Sequence, residues 1–504
     1  MAAKGIVFVV GSGPDLPDLL TVRGKQLLET ADTVVYERRA QRKLIPGDRA
    51  RGPRRVYTGA RGTVQRAAIP DVARLLVTLA RKDMRVVFLA ADDPLALGRS
   101  TELVTALNDA DVEFELVPGV SAANTVATYA GIPLSAPTMA AATMLVDGSA
   151  NIETNWSAVA NTGATVVVRN GYGVVPAIVA GFAAAGVTGE IPAAAITRAG
   201  RASQRIVIAT LGTIWDEMTR SGMTRAATLI IGWTVLLRDE LAWFDVRPLF
   251  GVRIIVAAQR YGVTTLADRL RLLGAAVIDV PAPGIARLDL SGLRAAIEHI
   301  IDYEWIVFAS PDAVSIFWEH LLLAGRDTRA LAGARIACVD PATAAALLDR
   351  GVTVDVVQPR FGVTALLDVL SERPDIPGAS LLYVAEDATA ESTGRDLEQT
   401  GAVVTQLAVY REVPVARAVQ RFRRELTERH CALIVAPSPA AAEDYLAAAG
   451  EHAVQSIPAA VYDEATAAIM RAAGAEVLIR LDAPNIDALI DAIREKFGSS
   501  ADAV

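Results

Sequence analysis

The stretch GIVFVVGSGPDLPDLLTVRG, residues 5–24, decides how the chain is read. Its apolar run from Ile6 to Val10 does not alternate with polar residues, which is the pattern of a strand covered on both faces of a parallel sheet. Gly11 closes the run, and Gly13-Pro14 opens a turn that uses the backbone freedom of glycine. A helical stretch from Thr21 to Thr30 comes next, then a second strand, TVVY at 33–36. Further out, MRVVFLA (84–90) and FELVPG (114–119) are strands, with helical stretches at 71–82 and 100–110 between them. Strands alternating with helices of about ten residues specify a doubly wound α/β sheet. The turn is not a dinucleotide fingerprint, because that pattern needs a third glycine where Leu16 stands.

After Pro133 and Pro137 a second strand set begins: ATMLVD (142–147), ATVVVRN (164–170), AAAIT (193–197), RIVIATL (205–211) and ATLIIGW (227–233). The segment LRDELAWFDVRPLFG, 237–251, reads as a helix or turn and then a linker ending at Gly251. From Val252 the α/β pattern restarts with RIIVAA, a helix at 263–273 and AAVIDVP. It recurs in WIVFAS (305–310), ARIACVD (334–340), SLLYVAE (380–386), AVVTQLAVY (402–410), ALIVAPS (432–438), AAVYD (459–463) and AEVLIR (475–480). GARIACVDPATAAALLDRGVTVDVV and IPAAVYDEATAAIMRAAGAEVLI share one strand–turn–ATAA–helix–strand order. Two similar α/β lobes explain this simply.

Composition narrows the chemistry. The 504 residues suffice for three or four domains, and 52% hydrophobic with 21% charged residues is ordinary for a folded chain. No apolar run reaches the roughly 18 residues of a membrane span. The opening MAAKGIVFVVGSGP lacks the shape of a secretory signal. With only Cys338 and Cys431 for thiols, the expected compartment is the cytoplasm. Histidine occurs only at His299, His320, His430 and His452, so the first 298 residues hold neither His nor Cys. A zinc site, a Ser-His-Asp triad or an iron–sulfur cluster is therefore excluded there, and no metal is expected. The five lysines (Lys4, Lys25, Lys43, Lys82 and Lys496) form no phosphate loop. A net charge of −8 without a basic block argues against nucleic acid. The histidines read as helix-surface residues, the cysteines as small core residues, and Trp215, Trp233, Trp243, Trp305 and Trp318 as packing residues.

The order of motifs carries a resemblance. VGSGPDLPDLLTVRG, VVYERR (34–39), LAADDPLALGRSTEL (89–103), VPGVSAANTVATYAGIPLS (117–135), VVVRNGY (166–172), ITRAGRASQR (196–205) and WFDVRPLFG resemble, in sequence, the motifs of tetrapyrrole methyltransferases. Over about 5–250 the chain is most similar to uroporphyrinogen III C-methyltransferases. The resemblance implies S-adenosylmethionine held in a cleft between two α/β domains. It assigns Gly11, Gly13, Pro14, Ala91, Asp92, Asp93, Ser121, Ala122, Asn170, Ala199 and Gly200 to the cofactor. It also makes Arg99 and Glu102 functional, and places Glu37 where the family has a proton-accepting Asp. Ala60 stands where the family has a lysine, and Asp92 where it has a glycine. A homodimer formed through this half is implied as well.

Residues from about 252 to 497 resemble uroporphyrinogen III synthase through FASPDAV (308–314), CVDPATA (338–344), AVYREV (408–413) and VAPSPAAA (435–442). The resemblance implies two flavodoxin-like lobes around a linear tetrapyrrole, hydroxymethylbilane, with Ser310, Thr343, Ser438 and Thr466 touching substrate and Tyr410 assisting loss of water. Asp340 and Asp463 replace family glycines, and each would oppose a polycarboxylate by roughly 1 kcal/mol if it faced one. The expected domains are 1–135 and 136–246, a linker at 247–251, one lobe from 252–283 plus 412–497, another at 284–411, and a tail at 498–504. The expected activity is synthesis of uroporphyrinogen III and its methylation toward precorrin-2. The departures leave open an impaired tetrapyrrole-binding or regulatory protein that keeps both folds.

Overall fold

A computed structural model describes residues 5–47, 52–60, 66–96, 100–148, 153–223, 227–257, 264–357, 363–428, 430–450, 457–481 and 485–498. The chain divides into two units, Met1–Gly251 and Val252–Val504.

The first unit opens with β1 (Ile6–Gly11), β2 (Thr33–Tyr36), β3 (Arg54–Tyr57), β4 (Arg85–Ala90) and β5 (Glu113–Val117), ordered β3-β2-β4-β1-β5 and all parallel. Val7, Val9 and Val10 have no exposed surface, which is why the apolar run does not alternate. The connection after β1 leads toward β2 and that after β4 toward β5, so these neighbouring strands send their loops in opposite directions. Such a switch point leaves a crevice at the carboxyl ends of the strands, where open α/β sheets take ligands.

The second sheet holds β6 (Thr143–Asp147), β7 (Thr165–Arg169), β8 (Pro192–Thr197), β9 (Arg205–Thr210) and β10 (Thr228–Ile231), in the order β6-β7-β10-β8-β9. Only β6 and β7 are parallel; the other neighbours are antiparallel. The link at 198–204 is too short for a helical crossover, so β8 and β9 form a hairpin.

The second unit has two doubly wound lobes. One contains β11 (Arg253–Val256), β12 (Ala276–Asp279), β19 (Leu433–Ala436), β20 (Ala459–Val461) and β21 (Val477–Arg480), ordered β12-β11-β19-β20-β21. The other contains β13 (Gly284–Arg287), β14 (Trp305–Phe308), β15 (Arg335–Cys338), β16 (Val356–Val357), β17 (Ser380–Glu386) and β18 (Val403–Val413), ordered β13-β18-β17-β14-β15-β16. The first has the flavodoxin order. The second has the order 3-2-1-4-5, with β13 added antiparallel to β18.

Cys338 and Cys431 are buried, as expected of core residues, and burial pushes the Cys338 thiol up to about 12. His299 and His430 are exposed and His320 is half-buried; His452 lies outside the described residues. Trp233, at 51% exposed, departs from the packing role. Trp243 is 42% exposed, yet its ring packs against Tyr129 and Phe244 and lies beneath the guanidinium of Arg247. Among the described residues, no helix is long and apolar enough to cross a membrane, and no cluster could hold a metal ion.

Candidate functional site

In the first unit three loops meet at the switch point. The Ser12 N–H donates to Ala90 O at 2.8 Å, and the Gly13 N–H to Asp92 O at 3.2 Å. A Cβ on Gly11 would stand 2.5 Å from the Gly119 nitrogen and 2.7 Å from Asp92 O. The loops after β1, β4 and β5 are thus stacked backbone on backbone, and Gly11 serves that close approach. Gly13, at φ 57, turns the first loop over the crevice. Pro14 and Ala91 are half-buried beside it.

Asp92 has a φ of 64 and its side chain is 3% exposed. One carboxylate oxygen accepts the Ala122 N–H at 2.6 Å; the other accepts Arg169 Nη1 at 2.7 Å. The side chain therefore joins the β4 loop to the β5 loop and to β7, and what it leaves toward the crevice is main chain. Asp93 accepts the N–H groups of Leu95 (3.0 Å) and Gly119 (3.1 Å). Ser121 caps the helix Ala122–Ala130 by accepting the Ala123 N–H at 3.2 Å. Asn170 follows β7 in a left-handed conformation and donates to Asp147 at 3.3 Å. Gly200, at φ 73, adopts the left-handed backbone that disfavours other residues, and a Cβ there would press on Leu16 Cδ1 at 2.7 Å. Next to it, Arg201 donates to the carbonyls of Pro14 (3.4 Å) and Asp15 (3.3 Å), bringing the β8–β9 turn, with half-buried Ala199, onto the first loop.

Glu37 follows β2 with a buried side chain that pairs with Arg66. Glu102 stands exposed in the first turn of the helix Ser100–Asp109. Arg99 lies outside the described residues.

A buried network escaped the sequence reading. Gln41 Oε1 accepts the N–H groups of Glu37 (3.1 Å) and Arg38 (2.9 Å), while its amide donates to Ser12 Oγ (3.0 Å) and Leu89 O (3.2 Å). Ser12 Oγ donates to Asp15 (2.8 Å), which also pairs with Arg38. A polar Gln at an interior position of a short helical turn was the available signal. A separate groove of about 370 Å³ beside the helix Ala122–Ala130, lined by Asn124, Thr128, Leu241 and Trp243 among others, uses none of the candidate residues.

In the second unit the Tyr410 hydroxyl lies 2.9 Å from Ser310 Oγ. Ser310 follows β14 and Glu386 ends β17, the two strands that flank that lobe's switch point. A register shift at Ala385/Glu386 sets Glu386 opposite Tyr410. Burial pushes the phenol up to about 12, and nearby Glu386, Asp312 and Glu412 push the same way. It remains a proton donor throughout the neutral range. Burial also raises the Glu386 carboxyl, with Asp387, Asp312 and Asp444 adding to the effect.

Four residues cap the helices that follow β14, β15, β19 and β20: Ser310, Asp340, Ser438 and Asp463. Ser438 accepts the Ala441 N–H at 3.3 Å. Asp340 accepts both the Thr343 N–H (2.7 Å) and its hydroxyl (3.0 Å), and Asp463 accepts the Thr466 N–H (2.7 Å). The two carboxylates are thus committed to helix ends. Thr343 and Thr466 have no exposed surface, so their hydroxyls face the interior.

Residues 7–214 match the family model of tetrapyrrole (corrin/porphyrin) methylases, and residues 264–491 that of uroporphyrinogen-III synthase. The porphyrin biosynthesis protein HemD of Ruminiclostridium josui is 28% identical over 377 residues, covering 73% of this chain and 74% of that protein. The siroheme synthase of Thiobacillus denitrificans is 34% identical over 245 residues, 48% of this chain and 51% of that one. The chain thus spans about half the length of the siroheme synthases it matches. Among solved structures, uroporphyrin-III C-methyl transferase from Thermus thermophilus, complexed with S-adenyl homocysteine, is 29% identical with a TM-score of 0.38, covering 46% of this chain and 100% of that one. A mutant uroporphyrinogen III synthase from Thermus thermophilus is 16% identical with a TM-score of 0.36, covering 48% and 98%. This chain is a fusion of two families, with a tetrapyrrole methylase unit followed by a uroporphyrinogen-III synthase unit.

Proposed function

We propose that the chain is a bifunctional enzyme of tetrapyrrole biosynthesis. Its second unit closes hydroxymethylbilane to uroporphyrinogen III, and its first unit methylates that product toward precorrin-2. The single observation that carries the reading is the stacked-loop crevice at the β1/β4 switch point, where the main chains of Gly11–Pro14, Ala91–Asp93 and Ser121–Ala122 come together. Such a site suits a zwitterionic nucleoside like S-adenosylmethionine, which needs N–H and carbonyl partners rather than a histidine or a thiol. Gly13 and Gly200 fit it further, since both adopt left-handed backbone where a bulkier residue would be strained.

When bound, S-adenosylmethionine supplies an electrophilic methyl group. The residues of the crevice hold the reacting carbon in line and exclude water, and alignment of this kind is the main catalytic contribution to such a displacement. Glu37 accepts the proton that the pyrrole loses; Arg99 pairs with substrate carboxylates, and Glu102 accepts from substrate N–H groups. In the second unit the neutral Tyr410 phenol, oriented by Ser310, donates to the departing hydroxyl, and Ser438 binds substrate from the other lobe. A homodimer through the first unit and residence in the cytoplasm complete the proposal.

The acidic groups around Tyr410 favour a second reading for the second unit alone, in which it binds a tetrapyrrole without turning it over. Incubation with hydroxymethylbilane, with and without S-adenosylmethionine, followed by product identification, tests both. Precorrin-2 or its oxidised form is the expected product. Uroporphyrin I alone, the outcome of spontaneous closure, would remove the synthase assignment.

A further inference from the structure

Glu37 is the candidate carboxylate with a buried oxygen left unpaired among the described residues. Its side chain is 4% exposed, Oε2 is paired with Arg66, and Oε1 is buried with no hydrogen-bond partner. Buried polar atoms in folded proteins are nearly always satisfied, so an open carboxylate oxygen needs an explanation. Arg66 reaches Glu37 because its segment folds back on β2. The Thr58 N–H donates to Tyr36 O at 2.9 Å, and the Ala67 N–H donates to Thr58 O at 3.0 Å. Gly59 makes the approach possible, since a Cβ there would stand 2.0 Å from Glu37 O. From the other side, Gln41 accepts the Glu37 N–H and donates to Ser12 and Leu89. The carboxylate is thus gripped at its main chain and at one oxygen, and its other oxygen is buried without a hydrogen-bond partner.

We propose that Arg66 is a positioning residue for methyl transfer: by occupying Oε2 it presents Oε1 of Glu37 as the acceptor of the pyrrole proton. This rests on the reading of the first unit as a uroporphyrinogen III methyltransferase. As the pyrrole carbon gains the methyl group, a ring electron pair forms the new carbon–carbon bond and the methyl–sulfur pair stays with sulfur. The ring N–H proton then passes to Oε1 and on to solvent, with no oxidant or further reactant. Arg66 carries the compensating charge throughout, because a guanidinium is not deprotonated in proteins.

The test uses the full chain and the variants Arg66→Ala, Arg66→Lys, Glu37→Gln and the double variant Glu37→Gln/Arg66→Ala. For each, kcat and KM for uroporphyrinogen III, S-adenosyl homocysteine affinity by calorimetry, and melting temperature are measured. Arg66→Ala is expected to lower kcat by about tenfold or more, up to the roughly 10²–10⁴-fold of a positioned proton transfer, while cofactor-product affinity stays within about twofold. Arg66→Lys restores most of kcat. In the Glu37→Gln background, Arg66→Ala costs nothing further in kcat or melting temperature, because coupled residues fail to add. The double variant carries no unpaired buried charge and so guards against a simple folding failure. Unchanged kcat in Arg66→Ala overturns the inference, as does an equal loss in the Glu37→Gln background or a parallel fall in cofactor-product affinity. A wild-type chain that binds S-adenosyl homocysteine but methylates no tetrapyrrole overturns both the reading and the inference, and so differs from failure of the inference alone.

Discussion

Asp92 shows how a single side chain can be diverted by its own backbone. At φ 64 an L residue other than glycine gives up about 1 kcal/mol. The two bonds from Ala122 N–H and Arg169 offset that cost and turn the carboxylate inward. Asp92→Ala keeps the strained backbone, loses both bonds and leaves Arg169 without its counter-ion. It is expected to destabilise the first unit by about 3 kcal/mol. Asp92→Gly relieves the backbone while still unpairing Arg169, and is expected to fall about 1 kcal/mol short of that loss. Thermal unfolding of residues 1–251 compares the two variants, and equal losses would mean that the backbone conformation carries no cost here. The motif order puts Asp92 in the loop after β4, and the structure has it there beside the β1 loop. Which way its side chain points was not legible, because direction depends on φ and on Arg169, a partner 77 positions away. Gln41 was missed for the same reason, since its role lies in contacts with Ser12 and Leu89 that no local pattern contains.

At the scale of elements, the second unit repeats one device: a short strand ends in a residue whose side chain caps the next helix. Asp340 and Asp463 occupy such positions, where Asn is an equivalent cap and Ala costs about 1 kcal/mol. Asn keeps the cap and removes the charge, so Asp340→Asn with Asp463→Asn isolates electrostatics from helix stability. We expect the melting temperature to hold, while affinity for hydroxymethylbilane rises at low salt and returns toward wild type near 1 M, where the screening length is about 3 Å. Weaker binding at every ionic strength would show that the aspartates hold the substrate. Most of the strands were legible because buried parallel strands are continuous apolar runs. The exceptions β3 and β13 are both edge strands. RRVY and GIAR carry charged residues or glycine because an edge is half solvated and guarded against pairing with other chains. The antiparallel character of the second sheet lay in the shortness of the 198–204 link, a feature of connection rather than of periodicity.

At the scale of the whole molecule, each unit has its own sheets and cores, so separately expressed 1–251 and 252–504 are each expected to be soluble and to unfold cooperatively. Aggregation of both pieces, judged by gel filtration and circular dichroism, would contradict that independence. The units should also differ in their response to alkali. The second unit buries Tyr383, Tyr410, Tyr445 and Tyr462, and burial raises the phenol of each. For Tyr410 the value is pushed up to about 12, and the Cys338 thiol reaches about the same. A raised folded-state value means that the folded chain holds its proton after the unfolded chain has lost it. This contribution is complete below the ordinary phenol value near 10 and is lost as pH rises toward 12, so stability falls with pH across that window. For Tyr410 alone, the rise to about 12 is worth roughly 2–3 kcal/mol, a large part of the stability of a typical domain. In the intact chain at about pH 11, unfolding of the second unit should accompany the rise in phenolate absorbance. Phenylalanine at position 410 removes one titrating group, so Tyr410→Phe should unfold at a higher pH than wild type. If Tyr410→Phe and wild type lose structure at the same pH, ionisation of that phenol does not limit alkaline stability.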